Sequence, residues 1–307
     1  MQLGADHVRV RVPATSANLG PGFDALGLAL GYHDTLEVRA LASSEVRVDV
    51  TGEGAGEVPD DERHLVVRAL RVALDHVGAP QTGLHLTCTN VIPHGRGMGS
   101  SAAAVVAGLL AARMLVADPT GLDDATILAL ATELEGHPDN AAPAIFGGAT
   151  VAWSRDGNGP QAARLQVHPD IEPTLVVPVS RLATRAARGV LPATVPHGDA
   201  AFNAGRSALL VHALAQEPAL LFDATEDRLH QEYRSGVMTS TWELVRGLRE
   251  QGIAATVSGA GPTVLVLHPV SDRERVAAAV DELVGGSPRW RALQPGIDSV
   301  GAVAERL

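Results

Sequence analysis

Between Pro93 and Ala104 the chain reads Pro-His-Gly-Arg-Gly-Met-Gly-Ser-Ser-Ala-Ala-Ala, with glycines at alternate positions, a serine pair, and a long Ala/Val/Leu run behind them. Alternate glycines permit turns and close approaches that a Cβ forbids. Serine is a favoured helix N-cap and the following run is helix-forming, so the stretch predicts a glycine loop opening onto a helix N-terminus. Such a loop presents unpaired N–H groups at the positive end of the helix dipole, which suits a phosphate. A plain turn before a core helix would use the same glycines, and the loop alone leaves both readings open.

Lysine decides what kind of phosphate loop this could be. All 24 Lys+Arg residues are arginine. A Walker A loop and a protein-kinase site both need a lysine, as does a pyridoxal phosphate Schiff base, so these are excluded. A dinucleotide fingerprint spaces its glycines G-x-G-x-x-G, whereas this chain has G-x-G-x-G after Pro93. Asp118 does stand about twenty residues on, where that fingerprint wants an acid, so a dinucleotide oxidoreductase remains a competitor.

Three stretches, in order, carry a resemblance to the homoserine kinases of the GHMP kinase superfamily. Pro93–Ala103 is similar to their phosphate loop. Ala14-Thr15-Ser16-Ala17-Asn18-Leu19-Gly20-Pro21-Gly22-Phe23-Asp24 is close to their first motif, and Glu135-Gly136-His137-Pro138-Asp139-Asn140-Ala141-Ala142-Pro143 to a second polar run. Ser258–Thr263 resembles the third motif of the superfamily, although alone it could be only a hairpin turn. Aligned on Leu191-Pro192, Arg188 falls at a family arginine, with Arg185 the near alternative, and Arg234 matches another in the context Asp227, Leu229, His230.

The resemblance implies an α+β, two-domain GHMP kinase fold: an N-terminal part like ribosomal protein S5 domain 2 and a ferredoxin-like C-terminal part. It implies ATP-dependent phosphorylation of L-homoserine with Mg²⁺, on the route to threonine, and a homodimeric assembly. Residues 93–103 (Pro93, His94, Gly95, Arg96, Gly97, Met98, Gly99, Ser100, Ser101, Ala102 and Ala103) would hold the ATP phosphates. Ser101 and Glu135, with Glu133 close behind, would face the metal. Asn18, Asp24, His137, Asp139, Asn140, Arg188 and Arg234 would hold homoserine, and Asn140, Asn18 and Ser101 would act in catalysis. His64 stands where the family usually has asparagine, near the adenine, which puts adenine contacts in doubt. Other GHMP acceptors, such as mevalonate or a sugar, and a non-catalytic nucleotide-binding regulator are the rivals.

The rest of the sequence bounds these readings. The chain has 307 residues, 46% hydrophobic, 19% charged and only 3% aromatic, so real cores must be built from Ala, Val and Leu. A net charge of −11 without a basic stripe argues against nucleic acid and anionic membranes. The single cysteine, Cys88, lies in an alternating run and reads as a buried small hydrophobe. It allows no internal disulfide, as expected of a cytoplasmic protein. No signal-peptide pattern opens the sequence, and Ser101–Ala117 is too short and carries Arg113, so it reads as a buried helix.

Periodicity predicts strands at Val8–Val12 (ended by Pro13), Thr35–Arg39, Val46–Val50, Leu84–Ile92, Thr150–Trp153, Leu175–Val179 and Ser299–Val303. A strand–turn–strand is expected over Ala255–Leu267. Helices are expected at 65–77, capped by Pro59-Asp60-Asp61, and at 101–117, 123–134, 201–215 and 273–283. The Asp156–Pro160 turn is the expected boundary, giving domains 1–157 and 158–307.

Overall fold

The structure is a computed structural model describing residues 2–155, 157 and 159–307. In chain order the elements are β1 (His7–Ala17), β2 (Leu26–Leu41), β3 (Val46–Gly52), α1 (Leu65–His76), β4 (Gly83–Asn90), α2 (Ser100–Leu115), α3 (Asp124–Glu135), α4 (Ala141–Phe146), β5 (Ala149–Arg155) and β6 (Gly159–Leu165). There follow β7 (Ile171–Pro178), α5 (Thr184–Gly189), α6 (His197–Ala215), α7 (Leu221–Ala224), α8 (Thr239–Glu250), β8 (Ala255–Val257), β9 (Val264–Pro269), α9 (Arg273–Val284), β10 (Trp290–Leu293) and β11 (Val303–Arg306).

Two sheets organise these elements. The larger has the order β11-β1-β2-β4-β3, with β5 on the first half of β2 and β6 on β5. Among the described residues its only parallel pair is β3–β4. The smaller, β10-β7-β9-β8, is antiparallel throughout. Successive strand residues face opposite ways, so a strand covered on both sides must be apolar at every position. The smaller sheet shows this. Leu175, Val177, Leu265 and Leu267 join the large core with the first sheet and its helices. Their neighbours Val176, Val264 and Val266 face a second core under α8 and α9.

α2 is the central helix. It is buried on every side, and its Ala-rich sequence lets other elements approach its backbone closely. A Cβ at Gly108 would run into the carbonyl of Val66 on α1. This depth fixes the N-terminus of α2 at the cleft between the two sheets.

Several expectations change. β1 does not stop at Pro13 but runs to Ala17 through a register shift at Pro13/Ala14. β11 covers β1 only as far as Arg11, so Pro13 lies where one edge has no ladder partner to feed. α1 is capped by His64, whose Nδ1 accepts from Val66 N at 3.3 Å, and not by Pro59–Asp61. The closing strand is Val303–Arg306, because Asp298 Oδ1 ties the N–H groups of Val300 and Gly301 into a turn. β6, β10 and α8 were not expected. The proposed 157/158 boundary falls inside the β5–β6 hairpin, where Asp156 and Asn158 lie outside the described residues. β6 belongs to the larger sheet and the smaller begins at Ile171, so we place the boundary between Leu165 and Ile171, with β11 returning to the first sheet.

Candidate active site

β4 ends in the glycine loop, and a buried carboxylate sets the direction of that exit. Asp34 Oδ1 on β2 accepts from Val91 N at 2.6 Å and Ile92 N at 2.9 Å. Burial pushes the Asp34 carboxyl up, against the pull of those two amides.

The loop then sorts its own polar groups. Gly95, Gly97 and Gly99 take φ of 65°, 72° and 68°, the left-handed region. The carbonyls of Gly95, Arg96, Gly97 and Met98 accept from Leu182 N (2.9 Å), Thr263 N (3.2 Å), Ser258 Oγ (2.5 Å) and Thr15 N (3.1 Å). No backbone N–H from Gly95 to Ala102 donates to the protein among the described residues. The acceptors are taken up by the protein and the donors are left over beside a cavity lined by Gly95, Gly97, Gly99, Ser100, Ser101 and Ala102, which is the polarity an anion needs. The expected serine cap is absent: the N-cap is Gly99, without a side-chain hydrogen bond, so Ser100 and Ser101 are the first helical residues. A serine cap would have consumed one of the free donors.

Not every loop side chain faces the cleft. Met98 is a core residue, and Pro93 and Ala103 are buried. Arg96 turns away: its Nε and Nη2 donate to the carbonyls of Pro178 and Val179, both at 2.9 Å, and Nη1 lies 3.6 Å from Glu53. It clamps the loop to the end of β7. Ser101 Oγ, by contrast, donates to Glu135 Oε1 at 2.6 Å. Burial raises the Glu135 carboxyl pKa, partly offset by the Ser101 bond and His137. Glu133 is exposed and does not line the cavity, so the geometry separates the two candidate carboxylates.

Two cavities meet at Ser100 and Ser101, which line both. The larger, about 310 Å³, is walled by Val12, Leu36, Cys88, Ala104 and Ala107, with Asp34, Arg63, His64, Asn90 and His94 among its polar groups. His64 there has a structural task as helix cap, and burial followed by the nearness of His94 lowers its pKa, keeping Nδ1 free to accept. Burial pushes the Cys88 thiol up to about 12, so it is an inert hydrophobe as expected.

The smaller cavity, about 120 Å³, gathers Asn18, His137, Asp139, Asn140, Arg188 and Arg234 beside the loop. Asn18 has φ of 71° and Asp24 of 56°, strained for non-glycine residues. Asn18 holds the turn closed: its Oδ1 accepts from Asp24 N at 3.0 Å and its Nδ2 donates to Gly259 O at 2.9 Å. Arg188 forks onto Asp24, Nη2 to Oδ1 at 2.6 Å and Nη1 to Oδ2 at 3.1 Å. That hydrogen bond is the first cause of the raised Arg188 pKa. Arg185 is exposed and does not line the cavity.

Arg234 is 1% exposed. Its Nε donates to Ala187 O at 3.2 Å and its Nη1 to Gly259 O at 3.2 Å and His230 Nδ1 at 2.9 Å. His230 therefore carries its proton on Nε2, which donates to Gly20 O at 2.7 Å. Burial, then repulsion from Arg188, lowers the Arg234 pKa to about 10, so it stays a cation at neutral pH. Both guanidinium carbons lie over the Phe23 ring, at 5.6 Å for Arg188 and 5.5 Å for Arg234. Across the cavity His137 Nδ1 donates to Asp139 Oδ1 at 2.6 Å, and this bond raises the His137 pKa. Asn140 Oδ1 accepts from Thr15 Oγ1 at 2.8 Å. Asp34, Phe23 and the supporting role of His230 escaped sequence reading.

Comparisons with known proteins fit this arrangement. Residues 64–148 match the model of the GHMP kinases N terminal domain and 207–285 that of GHMP kinases C terminal. A homoserine kinase of Clavibacter michiganensis is 52% identical, over 97% of this chain and 94% of that one. One of Streptomyces coelicolor is 52% identical over 96% and 93%. The chain belongs to the GHMP kinases, among the homoserine kinases. The crystal structure of homoserine kinase from Cytophaga hutchinsonii superposes with a TM-score of 0.82 at 25% identity, covering 98% of both chains. This GHMP kinase therefore has the two-domain fold expected from its motifs. None of its described helices is long and apolar enough to cross a membrane.

Proposed function

We infer that this homoserine kinase moves the γ-phosphoryl group of ATP onto the side-chain hydroxyl of L-homoserine, giving O-phospho-L-homoserine. One observation carries the reading: groups of both charge signs share a small cavity that opens onto a row of free main-chain donors. The donors of Gly95–Ala102 grip the phosphates without lysine, and the apolar cavity beside Ser100 takes the base. Phosphoryl transfer has a loose transition state with charge spread over oxygens, so aligned donors do most of the work.

Homoserine is a zwitterion. Arg234 and Arg188 seat its carboxylate, which a guanidinium fork grips at both oxygens. Asp24 and the His137–Asp139 pair face the ammonium, Asn18 fixes the turn that carries Asp24, and Asn140 ties Thr15 to Asp139.

Ser101 and Glu135 supply one hydroxyl and one carboxylate 2.6 Å apart. No described cluster of three His, Cys, Asp or Glu could cage a metal. That sparse oxygen set fits Mg²⁺, which keeps its waters and is completed by substrate phosphates. Bound there it would offset phosphate charge.

The acceptor hydroxyl has no dedicated base here. Asn140 stands where some relatives carry an aspartate, and an amide takes no proton at neutral pH. His137 is held by Asp139 through Nδ1 and is read here as part of the ammonium site. The hydroxyl proton leaves to a phosphate oxygen or water. The assembly is a homodimer in the cytoplasm on this reading, without nucleic acid or membrane partners, and sedimentation checks the dimer.

The test of substrate is a coupled ADP assay on L-homoserine, mevalonate and galactose. Mg²⁺-dependent turnover of L-homoserine alone is expected. Faster turnover of either other acceptor would end the assignment.

A further inference from the structure

The turn between β1 and β2 is held from outside the cavity it borders. Its carbonyls accept from three side chains of the C-terminal half: His230 Nε2 on Gly20 O, and Asn203 Nδ2 and Ser207 Oγ on Pro21 O, each at 2.7 Å. The turn needs such support, because Asn18, Leu19 and Asp24 take φ of 71°, 50° and 56°. Backbone in that region keeps its shape only where its surroundings over-determine it.

Two of the three side chains also reach the segment that carries Arg234. His230 Nδ1 accepts from Arg234 Nη1 and so aims the guanidinium. Asn203, on α6 and 2% exposed, joins main chain to main chain: its Oδ1 accepts from Arg228 N at 3.0 Å while its Nδ2 serves Pro21. These partners fix which end of the amide is which, since a carbonyl needs a donor and an N–H needs an acceptor. From Arg228 the chain is stiff as far as Arg234. Asp227 accepts from the N–H groups of Leu229, His230 and Gln231, and Arg234 N donates to Gln231 O.

We propose that Asn203 is a positioning residue for the acceptor, whose amide sets the separation of Asp24 and Arg234. The inference rests on the homoserine reading above. Asn203 lines neither cavity, so it acts through these two residues and not by contact. Its influence is confined to the acceptor, because the glycine loop takes its own support from Leu182, Thr263, Ser258 and Thr15. With Asn203 changed, Ser207 and His230 still hold the turn, so the loss is one of placement.

The experiment measures KM for L-homoserine and for ATP in Asn203→Asp and Asn203→Leu. The aspartate still accepts from Arg228 N but sets a carboxylate oxygen against Pro21 O; the leucine has neither bond. KM for L-homoserine should rise about tenfold in Asn203→Asp and further in Asn203→Leu, the scale of a binding group misplaced by a fraction of an ångström. KM for ATP should stay unchanged. A merely structural role would lower the melting temperature and the active fraction and leave both KM values alone, and that result overturns the proposal. Equal rises in the two KM values overturn it as well. Should Asn203→Leu fail to fold, Asn203→Asp decides by the same split. A wild type inactive on L-homoserine overturns the acceptor assignment and this inference with it, whereas an active wild type with unmoved variants overturns this inference alone.

Discussion

The two halves of the cleft are built from different materials. The proposed phosphate half is main chain: one continuous loop whose carbonyls are tied inward by four partners and whose amides are left over. The proposed acceptor half is side chain: Asp24, His137, Asp139, Arg188 and Arg234 arrive from four separate segments, Arg188 held by Asp24, His137 by Asp139, and Arg234 by His230 and two carbonyls. A main-chain site reads any phosphate and depends on backbone shape. A side-chain site reads one ligand and depends on long-range folding. Single substitutions should therefore fail differently in the two halves: by shape in the first, by selective loss of one substrate in the second.

The sharpest break is Gly97→Ala. Gly97 has φ of 72°, and a Cβ there would collide with the backbone carbonyl of Ser258. One added methyl should cost about a thousandfold in turnover, because several preorganised donors move together. Full activity with an unchanged KM for ATP would show that the loop's shape does not matter. Arg234→Met comes next. It should raise the KM for homoserine about a hundredfold, the loss of charged hydrogen bonds to a carboxylate. The KM for ATP should hold, and an equal rise in both constants would erase the division between the halves.

Glu135→Gln probes the seam where the halves meet. The amide keeps the hydrogen bond from Ser101 Oγ but loses the charge. We expect about a tenfold rise in the Mg²⁺ concentration giving half-maximal rate, with smaller change in the KM for homoserine. An unaltered Mg²⁺ titration would remove Glu135 from the metal's surroundings.

The same contrast explains what the sequence reveals. The glycine loop is legible because its shape is local: glycine spacing gives the turn, and the absence of lysine excludes the lysine-dependent phosphate loops. The acceptor residues carry no spacing rule of their own, and only the family's motifs pointed to them. Choosing Arg188 over Arg185, or Glu135 over Glu133, needed the cavity, because each pair differs by position on a short helix and not by chemistry. Arg96 sits in the loop yet serves the interface with β7, which local sequence cannot tell. Pro13 read as a stop because propensity ignores which strand edge is open, and the β5–β6 hairpin read as a linker because turn composition is the same in both. Buried Asp34 was invisible for a related reason: its partners, Val91 and Ile92, are more than fifty residues away.

The smallest expected effect concerns stability and marks the acceptor half alone. The Asp139 hydrogen bond raises the His137 pKa above its ordinary 6.5 in the folded chain. A raised folded pKa means that the folded state binds the proton more tightly than the unfolded state does. The stabilisation is fully present below pH 6.5 and is lost as pH rises through the folded value. Buried His64 and His230 are shifted the other way, so the wild-type melting temperature alone mixes opposite signs. The difference between wild type and His137→Gln isolates the one pair, since both carry His64 and His230. That difference should be greatest in mild acid and shrink towards weakly alkaline pH, while the phosphate half contributes nothing to it. A difference independent of pH would mean that His137 and Asp139 are joined by packing and not by a shared proton.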